Sequence, residues 1–256
     1  MQNPISNLFG LILMLLVLAM PEAGVAQETK VMVRAQSKDA KFIGTSMGGA
    51  KVIIRDATTG KILAEGITQG NTGNTTKIMK EPRIRNTPLT DENTAGFLAE
   101  LNIKEPVFVT VEVRAPANQN LSRVTASTQL WVIPGKHITG DGLVLEIPGF
   151  AVDILSPQTH ERIPAGQEVE ITANIVMMCG CPITADGFWD ANQYEITAIV
   201  NMEGESSQEI DLEIQEKPST FSGKVVLAPG NYEVTVYAYD PVTGNTGLDR
   251  TNIIIQ

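Results

Sequence analysis

The chain is poor in the residues that most exported folds and most enzymes depend on. It has two cysteines and two histidines in 256 residues. Two cysteines separated by a single residue cannot form a disulfide framework, so any folded domain must be held by its own apolar core. Two histidines leave little material for nucleophilic catalysis, and no G-x-S-x-G elbow occurs. Gly48-Gly49 precedes a strand pattern, where a phosphate-binding glycine loop would require a helix. No segment after residue 26 shows sustained helical periodicity. Basic residues are also scarce: 19 Lys and Arg stand against 29 Asp and Glu, a formal charge of −10. That balance gives no overall field favouring nucleic acid.

The one long apolar run is LFGLILMLLVLAM, residues 8–20, followed by Pro21 and the small residues Ala23 to Ala26. It falls short of the ~20 residues needed to span a bilayer and reads as an export signal, residues 1–26, cleaved near Ala26/Gln27. Its leading segment has no Lys or Arg, which leaves an uncleaved anchor as the alternative. No cysteine follows it to take a lipid. The expected location is therefore the periplasm or the extracellular space, with no stable membrane segment after cleavage. The expected partner is an envelope protein, not nucleic acid.

From Gln27 onward the apolar segments are short, often alternating, and bounded by Gly, Pro, Asn or Asp, the signature of an all-β chain. Seven strands are expected before Pro148-Gly149 and seven after, giving two tandem β-sandwich domains, residues 27–149 and 150–256. In residues 168–177, Val169, Ile171, Ala173, Ile175 and Met177 share one face, and Glu168, Glu170, Thr172 and Asn174 the other. Residues 68–94 form a long Thr- and Asn-rich loop with a basic cluster of Lys77, Lys80, Arg83 and Arg85. It reads as a solvated loop, or alternatively as a docking loop for an anionic partner.

The pieces ILSP (154–157), PAGQEVEITANI (164–175) and APGNYEVTVYAYDPVTGNTGLDRTNIII (228–255) resemble bacterial immunoglobulin-like domains. The resemblance implies a seven-strand sandwich and carries no activity with it. The shorter string GGAKVIIRDATTGKILAEGITQGNTG (48–73) resembles transthyretin-like or carboxypeptidase-regulatory-like sandwiches over one hairpin and its exit loop.

Chemistry-bearing residues concentrate in Met177-Met178-Cys179-Gly180-Cys181-Pro182. In an immunoglobulin-like topology this bend falls at the end facing the first domain, far from His160, and His137 is placed to reach it. A zinc site would need both imidazoles together and is disfavoured. Soft ligands select Cu(I), so the sharpest metal reading is a copper(I) site of Cys179 and Cys181 completed by Met177, Met178 or His137. Met177 points coreward by strand phase and Met178 outward, which weakens that set. A redox disulfide is a further reading and needs a turn at Gly180, because an extended strand would hold the two Cα atoms ~6.7 Å apart. The plain reading is a strand end whose cysteines shape a tight turn. Asp186, Asp190, Asn192, Asp240 and Asp249 could bind Ca2+ but more simply solvate turns; Trp189 is expected to anchor its loop. The sequence thus points to a non-catalytic binding or accessory protein acting through loops at the interdomain end, residues 177–193, 240–248 and 134–142, with copper handling and thiol-disulfide exchange as alternatives.

Overall fold

A computed structural model describes residues 25–202 and 207–256. The expected export segment lies almost wholly outside the described residues. Among those described, no helix is long and apolar enough to cross a membrane.

The chain is all-β. Its first seven strands are β1 (Gln27–Ser37), β2 (Lys51–Asp56), β3 (Ile62–Ile67), β4 (Phe97–Ile103), β5 (Val107–Ala115), β6 (Val124–Val132) and β7 (Ile138–Ile147). They form two sheets, β4-β1-β7 and β3-β2-β5-β6. Alternation sets the core between them: Val31, Val33 and Ala35 of β1 face Val52 and Ile54 of β2 and Val109, Val111 and Val113 of β5, all essentially without exposure. The β2–β3 hairpin closes where Asp56 accepts the amides of Thr58 and Thr59 and Gly60 takes φ +73°, a conformation that glycine adopts without a Cβ clash. Strand β7 runs parallel to β1, with Val31 opposite Ile138 and Ser37 opposite Ile147.

The second half contains β8 (Phe150–Ser156), β9 (Glu161–Ile163), β10 (Glu168–Met177), β11 (Glu195–Met202), β12 (Gln208–Asp211), β13 (Glu213–Ile214), β14 (Thr220–Val226), β15 (Gly230–Tyr239) and β16 (Thr246–Ile255). Their sheet orders are β13-β14-β10-β8 and β12-β11-β15-β16-β9. Two segments of the second half switch sheets. In the first, after the expected strand at residues 151–155, seen as β8 and paired with β10, the chain crosses to β9, a short strand outside the expected seven, which runs parallel to β16. The other leaves β11 as β12 and joins β14 as β13, turning at Leu212, whose side chain is buried in the core. With those splits resolved, the strand arrangement is that of an immunoglobulin-like sandwich. Every strand up to β7 pairs only within the first half, and every strand from β8 only within the second.

Candidate functional site

Strand β10 delivers the sulfur-rich bend. Its alternation continues to the last residue: Met177 joins the second-domain core and Met178 turns the opposite way. "Outward" from this sandwich is not solvent, however. Met178 is 1 % exposed and belongs to the first-domain core with Met47, Ile147 and Ala151. Two neighbouring thioethers therefore serve two different interiors, each burial contributing about 1.5–3 kcal/mol.

Beyond Met178 the chain reverses. The Gly180 amide donates to the Met177 carbonyl (2.7 Å), the Met177 amide to the Cys181 carbonyl (3.2 Å), and Pro182 bridges back to Val176. Gly180 has φ +77°, and a Cβ there would lie 2.8 Å from Met47 Sδ of the first domain. This turn brings the Cys179 and Cys181 Cα atoms to 5.4 Å, and their sulfurs are joined. Both cysteines are buried among second-domain core residues that also contact Ala40. The exit is held by Ser219, which accepts the Ile183 amide with its Oγ and donates its own amide to the Ile183 carbonyl.

A ring of polar contacts surrounds the bend. Trp189 Nε1 donates to the Asp39 carbonyl (3.0 Å) and Lys38 Nζ to the Thr243 carbonyl (2.7 Å). Asn245, with no exposure, donates from Nδ2 to the Lys38 carbonyl (3.2 Å) and accepts the Gly149 amide (2.9 Å). Tyr194 packs edge-on against Phe150 with ring centroids 5.1 Å apart. Burial, reinforced by Asp240, Asp39 and Asp190, pushes its phenol well above the ordinary range. The Asp39 carboxyl is raised by desolvation and by Asp240.

The other acids at this end are used locally. Asp190 accepts the amides of Asp186 and Asn192, Asp240 the Val242 amide and the Thr243 hydroxyl, and Asp249 the Ile154 amide. Each caps backbone donors that would otherwise be unpaired.

His137 does not approach the bend. Its Nδ1 accepts the Lys30 amide (3.1 Å) at the start of β1, and the whole of β7 lies between it and Phe150. Ten extended residues span roughly 30 Å, so the expected reach fails for a geometric reason: β7 begins earlier and runs longer than its apolar half suggests. The turn at residues 134–137 accordingly belongs to the outer end of the first domain. His160 stands at the outer end of the second, donating its amide to the Asn252 carbonyl. Of the five proposed metal-ligating residues, the fold joins Cys179 to Cys181, sends Met177 and Met178 into separate cores, and leaves His137 remote. In this disulfide-bonded form the cysteines have no thiolate to offer Cu(I), and the two thioethers, which are also soft ligands, do not converge on one point.

The loop at residues 68–94 is more than a solvated excursion. A single π turn, Thr76–Lys80, presents Met79 to the second-domain core and places Lys80 Nζ 5.5 Å from the Phe188 ring centroid. Asp141 then accepts the amides of Leu89 and Thr90 and the Thr90 hydroxyl (2.6 Å). Burial acts to raise the Asp141 carboxyl. The hydrogen bonds from Thr90 and Leu89, with the charge of Arg34, outweigh it and hold the group below its ordinary value.

Beside the joint an open cleft of 400 Å³ has Phe150 and Met178 at its floor and Leu121, Tyr237 and Leu248 among its walls. Leu121 is 74 % and Leu248 44 % exposed. Sequence reading overlooked this cleft, because Leu121 lies in a β5–β6 connection whose contact with β8, Ser122 Oγ on the Val152 backbone, arises only when the domains dock. Lys38, Asp39 and Met47 escaped notice for the same reason.

The fold and this joint define a tandem β-sandwich with an immunoglobulin-like second domain. No family model matches the chain, and no curated protein matches it. Among solved structures it is similar to fibronectin(III)-like modules of Clostridium thermocellum CbhA, at 13% identity over 92% of each chain and a TM-score of 0.30. It is also similar to a D1–D4 ectodomain fragment of ICAM-5, at 10% identity over 93% of this chain and 52% of that one (TM-score 0.29). A third is DIP-gamma IG1+IG2, at 11% identity over 91% of each chain (TM-score 0.22). The chain thus spans about half of the ICAM-5 fragment, and these likenesses concern the fold alone.

Proposed function

We propose that the protein is an exported, non-catalytic binding or accessory module of the cell envelope, whose interdomain end engages a segment of a partner protein. The observation that carries this reading is the cleft lined by both domains. Its apolar floor and its exposed Leu121 and Leu248 have the makeup of a pocket for an apolar anchor side chain. The residues with chemical potential nearby are committed elsewhere: the cysteines to each other, the carboxylates to backbone amides, the methionines to the two cores. A protein that covers apolar surface at a fixed joint makes better use of this arrangement than one that turns over a substrate.

A photo-crosslinking side chain placed at Leu121 or Leu248 and exposed to envelope extract tests the reading. One dominant adduct is expected from both positions, and none from the same group at Thr125 on the exposed face of β6. Equal adducts from all three positions, or no adduct from either leucine, would overturn it.

A further inference from the structure

The strap between β3 and β4 carries a second surface, separate from the cleft. Arg83, Ile84 and Arg85 lie exposed in sequence, with Ile84 68 % exposed between two guanidinium groups. Ion pairs among the described residues join Lys30 to Glu28 and Glu100, Arg114 to Glu112, and Lys224 to Glu168, and involve neither arginine. With Asn86, Thr87, Pro88 and Asp141 they line an open concavity of 480 Å³. The walls are set before anything binds: Asn86 takes the left-handed conformation (φ +66°), the Thr87 amide donates to the Ile84 carbonyl, and Asp141 holds Leu89 and Thr90. Upstream, Met79 and Lys80 fix the strap to the second domain. A guanidinium presented on an immobilised loop loses less entropy on pairing than one on a free loop.

We propose that this surface binds an acidic segment of a partner protein, with Arg83 and Arg85 pairing carboxylates and Ile84 and Pro88 receiving an apolar side chain carried between them. Charge complementarity sets the sign, since two guanidinium groups stand against one carboxylate, Asp141, in the lining. Ile84 sets the class of partner: an exposed aliphatic flanked by arginines suits a mixed acidic and apolar peptide, because a sulfated glycan gains nothing from it and one isoleucine on a net acidic chain is too little apolar area to hold an anionic lipid surface. Asp141 in the lining, and Glu81 two residues before Arg83, disfavour a dense polyanion and tolerate spaced carboxylates.

The test uses the whole protein and a fluorescent twelve-residue peptide alternating Asp and Leu, followed by anisotropy at low salt. Arg83→Ala with Arg85→Ala should weaken binding by about tenfold or more and flatten its salt dependence. The Lys pair should fall between wild type and the Ala pair, because an ammonium cannot form the two-point contact. Ile84→Ser should weaken binding by about fivefold with the salt dependence unchanged. All three side chains are exposed, so unfolding midpoints should match wild type and exclude misfolding. Equal peptide binding by the Ala pair would overturn the proposal. So would equal or tighter arginine-dependent binding of poly-Glu, of sulfated dextran or of phosphatidylglycerol vesicles. The cleft variants leave this assay untouched, so failure here is distinguishable from failure of the cleft reading.

Discussion

Gly180 shows how much can hang on one missing Cβ. Its positive φ permits the reversal that joins Cys179 to Cys181, and its bare Cα lets the bend settle against Met47. Gly180→Ala should lose about 1–2 kcal/mol, combining left-handed backbone strain with displacement of a flexible thioether, as read by urea unfolding. Asp39 offers a test through pH. Its folded carboxyl is raised by desolvation and Asp240, so the folded state takes up its proton first and stability grows as pH falls through that raised value toward the ordinary ~3.9. Asp141 acts in the opposite sense: its folded value is depressed, so its contribution is present above the ordinary carboxylate range and is lost as pH drops below ~4. Urea midpoints should therefore rise and then fall on acidification. Asp39→Asn, which suits the residue's φ of +55°, should shrink the rising limb to the share of Asp153, whose carboxyl is likewise raised by burial and by Asp249, and should leave the falling limb unchanged.

Among the elements, β10 was the most legible in sequence. Its ten residues alternate without interruption, and strand geometry alone says which face is core. Met178 shows where that legibility stops: period two puts it opposite Met177, but only the docked neighbour decides that the opposite face is also an interior. The β12–β13 split was hidden because a strand that changes sheets keeps its apolar pattern while its hydrogen-bond partners switch, and β9 escaped because three residues with one apolar side chain, Ile163, make no alternation. The strap at residues 68–94 read as loop because Ile78, Met79, Ile84 and Leu89 are spread without a period through a polar stretch, and the packing of Met79 against the second domain has no local cause. Pairing of the cysteines remained open in sequence, since it turns on a glycine conformation. A bond closing so short a loop stabilises little through chain entropy. Replacing both Cys179 and Cys181 by Ala should cost about 2 kcal/mol and preserve the near-ultraviolet circular dichroism of Trp189.

At the scale of the molecule, the joint behaves as part of the cores. Met178→Ala should cost about 2–5 kcal/mol and widen the range of interdomain orientations, measured as spin-label distances between Lys136 and Arg162 at the two outer ends. Wild type should show one narrow distance and a single calorimetric transition. A sharp distance retained in the Ala variant would mean that the polar ring of Lys38, Trp189 and Asn245 suffices to fix the angle.

Adjacent methionines lodged in different interiors also limit how such a gene can be rearranged. A cut at Gly149 follows the seam between the sheets, yet it would leave the Met178 thioether and the Trp189 indole bare on one half and a matching hollow on the other. These halves are therefore poor currency for exon-like shuffling. Length is more readily added at tips such as Gly60 or Gly166, where the space beyond the Cα is open.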